Sequence, residues 1–151
     1  MVIVYIGLGS NLFEPKKQVT RAVEELKNLP RSKFVKASSL YSSKPMGPKD
    51  QPNYINAIVA IETRLMPIEL LNYTQEIEKK RGRLRKNEHW GPRILDLDVI
   101  LFGNETINSE RLTVPHYGIK DRKFVLYPLL EIVPDLQLPD GTKLRTLLKS
   151  S

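Results

Sequence analysis

Two aspartates inside an apolar strand constrain this chain more than any other feature. The run Leu95-Asp96-Leu97-Asp98-Val99-Ile100-Leu101 is otherwise composed like a buried strand, where aspartate is disfavoured. Strand geometry turns residues i and i+2 to one face, with Cα atoms about 6.5–7 Å apart. Carboxylates so placed repel each other and resist burial, so cationic charge has to sit between them. Hard divalent ions with oxygen ligands fit best. Mg²⁺ commonly takes one or two carboxylates, and a two-metal clamp with ions about 3.5–4 Å apart matches the spacing. A structural pair bridged by nearby arginines is the alternative.

Those arginines are close in sequence. Of the net charge of +7, most comes from residues 79–93, where Lys79, Lys80, Arg81, Arg83, Arg85, Lys86 and Arg93 face Glu88 alone, seven charges against one. So local an excess points to one anionic ligand or to a solvated basic loop. The other bounds are broad. At 151 residues, 40% hydrophobic and 27% charged, the chain reads as one globular domain, 1–151, and neither a disordered tail nor a fibre. With no cysteine it has no disulfide, Cys-ligated zinc, iron–sulfur cluster or thiol nucleophile. No apolar run approaches the roughly 18 residues of a membrane span, and Val2–Ile6 is too short for a secretory core. A cytoplasmic, soluble protein is expected.

Pattern along the chain predicts a strand at Val2–Ile6, then a helix opened by Pro15 and closed by Pro30, with Val19, Ala22, Val23, Leu26 and Leu29 on its face. A second strand is expected over Phe34–Tyr41, a Pro-rich loop over 44–52, and a central strand over Tyr54–Ile61. Pro67 opens a second helix with Leu70, Leu71, Tyr73 and Ile77 inward, ending at Gly82; 83–94 reads as a loop. A fourth strand, Leu95–Phe102, turns at Gly103-Asn104 into a returning segment near Thr106–Ile107. Arg111–Arg122 reads as loop, Phe124–Ile132 as a helix despite Pro128, and the end as a short helix. The predicted fold is α+β, a ferredoxin-like βαββαβ sheet with helices packed on its faces and C-terminal additions. Many functions share that fold.

Trp90, in His89-Trp90-Gly91-Pro92-Arg93, is either a lid over a flat ligand or a loop anchor packed on the domain. Arg111, His116, Tyr117 and Arg122 offer phosphate donors, although a lone histidine is usually structural. Gly7-Leu8-Gly9 reads as a strand-ending turn, or as a place where a ligand approaches the backbone, and no Walker-type loop is present. An RNA-binding module would explain the basic stretch but leaves the strand aspartates without a role.

The pattern Arg83-x-Arg85…Trp90-Gly-Pro-Arg93-Ile-Leu-Asp96-Leu-Asp98 closely resembles the signature of the 6-hydroxymethyl-7,8-dihydropterin pyrophosphokinases of folate biosynthesis. Likeness extends to Tyr5–Asn11, Pro45–Asn56 and Glu110–Tyr117. The resemblance implies transfer of pyrophosphate from ATP to the pterin's hydroxymethyl oxygen, leaving AMP, in a monomer that needs neither nucleic acid nor membrane. It implies that Asp96 and Asp98 bind two Mg²⁺, with Asp96 also near the pterin, and that Arg83 and Arg93 stabilise the transferring group. Arg85, Arg111, His116, Tyr117 and Arg122 would hold phosphates, and Leu71, Gln75, Glu78, Val99, Leu112 and Thr113 would surround the nucleotide. Tyr54 and Phe124 would sandwich the pterin, Asn56 would read its edge, and Ser43, Pro45 and Met46 would line its pocket. Trp90 would belong to a loop closing over both substrates. Ser43 stands where many relatives carry threonine, which keeps the hydroxyl.

Overall fold

In a computed structural model, residues 1–44, 52–81 and 94–149 are described. Strand β1 (Val2–Ser10) leads into helix α1 (Pro15–Lys27), followed by β2 (Ser32–Ala37), β3 (Tyr41–Ser43) and β4 (Tyr54–Thr63). Helix α2 (Pro67–Lys80) precedes β5 (Asp96–Phe102). Short strands β6 (Ile107–Asn108) and β7 (Thr113–Val114) come before α3 (Lys123–Ile132) and α4 (Thr146–Lys149). The main sheet is antiparallel in the order β2-β4-β1-β5, with β3 also pairing β4.

Local chemistry accounts for the helices. Proline at the first helical position of α1 and of α2 supplies the right φ where no N–H is needed. At α2 the Glu69 carboxylate also accepts the Met66 N–H at 2.8 Å, satisfying a donor the helix leaves open. Alternation along the strands then sorts the core into two layers. Val4, Ile6 and Leu8 of β1, with Ala57, Val59, Leu97 and Val99, pack under Val19, Ala22 and Leu26 of α1 and Leu70, Leu71 and Ile77 of α2. On the opposite face Ile58, Ile100 and Leu101 pack against Val125, Leu126 and Leu129 of α3 and against Leu138, Leu144 and Leu147. Each fully buried Val, Leu or Ile side chain among them contributes about 1.5–3 kcal/mol of transfer free energy. One extra residue, Ile100, lies between the Ile6–Val99 and Tyr5–Leu101 pairs. This bulge turns both Ile100 and Leu101 toward α3. No described helix is long and apolar enough to cross a membrane.

Four local expectations change. First, β1 does not stop at Ile6 but continues through Gly7 and Gly9 to Ser10, because β4 and β5 pair with it on both sides. Second, the strand expected over 34–41 is two strands. Ser38 interrupts it, its Oγ accepting the Ile58 N–H at 2.9 Å in place of a ladder carbonyl. Third, Tyr73 lies on the outer side of α2, and the buried stripe runs Leu70, Leu71, Thr74, Ile77 and Glu78. Fourth, the segment after Gly103 does not return along β5. It pairs with β7 in a separate two-stranded sheet.

Candidate active site

Helix α3 covers only part of its sheet face. Beyond it, the ends of β1, β4 and β5 carry short or polar residues, and a cavity of about 240 Å³ opens over them. Its floor follows from register. Gly9 lies opposite Asn56 on one side and Asp96 on the other; Gly7 lies opposite Ile58 and Asp98. Two glycines on one face of the middle strand leave a trough, with the carboxylates along one wall and Tyr54 and Asn56 along the other. Ser43 and Lys44 form a rim. Phe124 and Val125, from the first turn of α3, close the far side with His116, Tyr117 and Arg122.

Hydrogen bonds fix several of these groups. Asn56 is buried, and its Nδ2 donates to Ser43 Oγ at 2.6 Å. The buried Asn11 donates to the Pro52 carbonyl at 3.1 Å, holding the entry to β4 against the end of β1. The Arg122 guanidinium lies 4.9 Å from the Tyr117 ring centroid and 5.7 Å from that of Phe124, and it donates to Tyr117 Oη at 3.3 Å. Its positive charge therefore stands between two aromatic faces at the mouth of a cavity that holds two aspartates.

His116 is the most constrained titratable group. Its backbone N–H donates to the Ile100 carbonyl at 2.9 Å, and its ring stacks on Tyr117 at 4.4 Å. Burial, then the charge of Arg122, depress its pKa to about 4 against the opposing pull of Asp96, so the ring is neutral at pH 7. Its Nδ1 accepts the Gly118 N–H at 3.0 Å, which assigns the ring hydrogen to Nε2. Nε2 faces Asp98 Oδ2 at 3.7 Å, too far for a direct hydrogen bond but close enough for both to meet one oxygen between them. His116 is thus a donor toward the site, not a base.

The expected residues divide three ways. Ser43, Tyr54, Asn56, Asp96, Asp98, His116, Tyr117, Arg122 and Phe124 meet in the cavity. Leu71, Val99 and Leu112 are buried in the core beneath α1 and α2, on the other side of the sheet. Gln75 and Arg111 also lie off the cavity wall, joined by a bond of 3.0 Å from the arginine, which also donates to Asn72 at 2.7 Å. Thr113 is exposed on β7, and Glu78 is buried against β5. Pro45, Met46, Arg83, Arg85, Trp90 and Arg93 lie outside the described residues. Sequence reasoning gave no role to Lys44, Ile58, Ile100 or Val125, which line the cavity, and left that of Gly7 and Gly9 open. For the glycines the signal was their i, i+2 spacing after an apolar strand.

The paired carboxylates suit a hard cation. They lie at neighbouring same-face positions of β5, the Asp98 side chain is 44% exposed, and the cavity leaves room for further oxygen ligands beside them. Among the described residues no group of three or more His, Asp or Glu could enclose an ion.

A sequence model of the 7,8-dihydro-6-hydroxymethylpterin-pyrophosphokinase (HPPK) family matches residues 5–134. The chain is 49% identical over 145 residues to the 2-amino-4-hydroxy-6-hydroxymethyldihydropteridine pyrophosphokinase of Pseudomonas aeruginosa, covering 96% of this chain and 89% of that protein. To the protein of the same name from Haemophilus influenzae it is 48% identical over 149 residues, covering 99% and 92%. Its fold is similar to that of Plasmodium falciparum HPPK-DHPS, with a TM-score of 0.76 at 15% identity, over 99% of this chain and 44% of that one. That last likeness concerns the fold alone.

Proposed function

The chain belongs to the 7,8-dihydro-6-hydroxymethylpterin-pyrophosphokinase family, a transferase of folate biosynthesis, and we propose that its cavity over β1, β4 and β5 is where ATP and the pterin react. The enzyme transfers the pyrophosphoryl group of ATP to the hydroxymethyl group of 6-hydroxymethyl-7,8-dihydropterin, giving the pterin diphosphate and AMP. The observation that carries the siting is the register. It puts two carboxylates and a buried amide on opposite sides of a glycine trough, so a flat ligand and a metal-bound polyphosphate can lie side by side.

Tyr54 and Phe124 stand on two walls of the trough and hold the pterin ring between them. Asn56, oriented by its bond to Ser43, reads the ring's edge. The hydroxymethyl oxygen then faces the Asp96–Asp98 side. Its oxygen forms a bond to the β-phosphorus as the bond from that phosphorus to the α–β bridging oxygen breaks, and the electron pair leaves on AMP. The alcohol's proton departs to solvent or to Asp98. His116 is not its acceptor, because Nε2 already carries hydrogen.

Asp96 and Asp98 are the residues that would hold two Mg²⁺; when bound, these ions offset phosphate charge and polarise the phosphorus. Arg122 and the Nε2–H of His116, with Tyr117, bind phosphate oxygens from the side of the cavity closed by α3. The family motif adds Arg83 and Arg93 at the transferring group, Arg85 at the phosphates and Trp90 over the substrates. It also adds Pro45 and Met46 at the pterin and Gln75, Arg111 and Thr113 around the nucleotide; Leu71, Leu112 and Val99, which it places there too, lie in the core layer under α1 and α2 and do not line the cavity.

The same proposal takes residues 1–151 as one cytoplasmic, monomeric domain; its ferredoxin-like βαββαβ type is supported by the antiparallel order β2-β4-β1-β5. A coupled assay for AMP tests the function. AMP should appear from ATP only when the dihydropterin is present, and release of ADP, or of AMP without pterin, would overturn it.

A further inference from the structure

Among the described residues, β5 pairs as a strand only with β1. Asp96 and Asp98 lie opposite Gly9 and Gly7, and between them Leu97 lies opposite Leu8. The Leu97 N–H does not go to a strand. It donates to Oε2 of Glu78, at 2.8 Å, from the last turn of α2. Glu78 is only 3% exposed, set among the aliphatic residues of the α2 stripe. The helix end that carries it is itself anchored, because Arg81 pairs with Glu25 of α1.

A buried carboxylate beside a strand needs donors, and a buried N–H needs an acceptor; the Glu78–Leu97 bond supplies one of each. We propose that Glu78 is a positioning residue, which sets the spacing and tilt of the Asp96–Asp98 pair by holding the backbone of the residue between them. The proposal rests on the reading of those aspartates as the metal-binding pair. It departs from the nucleotide contact that family resemblance implies for Glu78. The Glu78 oxygen that accepts the Leu97 N–H acts on the site through the backbone of β5. Its effect therefore passes through the strand and should fall on metal binding and on kcat, not on the affinity for pterin.

Glu78→Gln and Glu78→Ala separate the two roles, since a glutamine oxygen still accepts the Leu97 N–H but carries no charge. Three readouts apply: hydrogen exchange of the Leu97 amide in the free protein, Mn²⁺ binding followed by electron paramagnetic resonance, and steady-state kinetics. In Glu78→Ala the Leu97 amide should exchange at least ~10-fold faster, and Mn²⁺ affinity and kcat should each fall ~10- to 100-fold, the range for removing a group that orients a metal ligand. The KM for pterin should stay within about 2-fold of wild type. Glu78→Gln should restore all of these to within about 3-fold of wild type. A Gln variant as damaged as the Ala variant would overturn the proposal, as would unchanged Leu97 protection in Glu78→Ala. If the alanine variant does not fold, the Gln variant decides alone. A wild-type protein that releases no AMP would overturn the reading of the cavity instead, and the Leu97 exchange result distinguishes that failure from this one.

Discussion

Gly9 and Asn56 face each other across β1 and β4, and a Cβ placed on Gly9 would stand 3.2 Å from the Asn56 amide oxygen. The same Cβ would lie 3.7 Å from Tyr54 Cδ1. The trough thus depends on this strand position, like that of Gly7, having no side chain. The amide beside it, buried and bonded to Ser43, has little freedom to move away.

Gly9→Ala should therefore damage binding more than stability. Alanine suits a strand better than glycine by about 0.5–1 kcal/mol, which offsets part of the crowding. The expected result is a KM for pterin raised ~10-fold or more, about 1.4 kcal/mol, with a thermal midpoint within a few degrees of wild type. A variant with normal KM would show that the trough floor is not where the pterin lies.

Much of this site is legible in the sequence, and what is not has physical causes. The aspartates stand out because carboxylates are disfavoured in apolar strands, and Pro15 and Pro67 mark both helix starts. The glycine trough is hidden because glycine lowers strand propensity, so Val2–Ile6 reads as complete until pairing on both sides carries β1 to Ser10. The break at Ser38 depends on a bond to Ile58, twenty residues away, which no local pattern reveals. Glu78 falls on the buried stripe of α2, with Thr74 and Ile77; family likeness sets it near the nucleotide, and no local pattern reveals that its carboxylate accepts a backbone N–H of β5.

The wall formed by α3 is braced from its far end. Glu131 accepts from Tyr41 Oη at 2.7 Å, and from the backbone N–H and Oγ of Ser39. This ties the helix that carries Phe124 to the strand that carries Ser43. Glu131→Ala should raise the KM for pterin while leaving that for ATP within about 2-fold. Equal rises in both constants would contradict the brace.

The same contact has a pH signature. The hydrogen bond to Glu131, then burial, push the Tyr41 hydroxyl up to about 12. A group whose pKa is raised on folding stabilises below its ordinary value, here 10, and loses that contribution as pH climbs toward about 12. Being exposed, the bond is worth no more than about 1 kcal/mol. Tyr41→Phe should be less stable than wild type near neutral pH, with the gap closing above pH 10 in urea titrations. A gap unchanged with pH would refute this origin.

His116 acts in the acid range. Its pKa falls from 6.5 unfolded to about 4 folded, so the unfolded chain binds more protons in that window and stability drops as pH falls through it. In urea titrations with chelator present, His116→Asn should remove the part of the slope lying between pH 6.5 and 4. An unchanged slope would place the acid sensitivity elsewhere.

The most direct test of the account is ³¹P NMR of the reaction run with wild type and, in parallel, with Asp96→Asn and Asp98→Asn. Wild type should convert ATP and the dihydropterin into AMP and the pterin diphosphate in equal amounts, with no ADP. Both variants should stay folded, since each loses a repulsive charge, yet form no product beyond ~1% of the wild-type rate, as when a group acting mainly in the transition state is removed. Near-normal product from either variant at ordinary Mg²⁺ would contradict the claim that this pair of carboxylates carries the transfer.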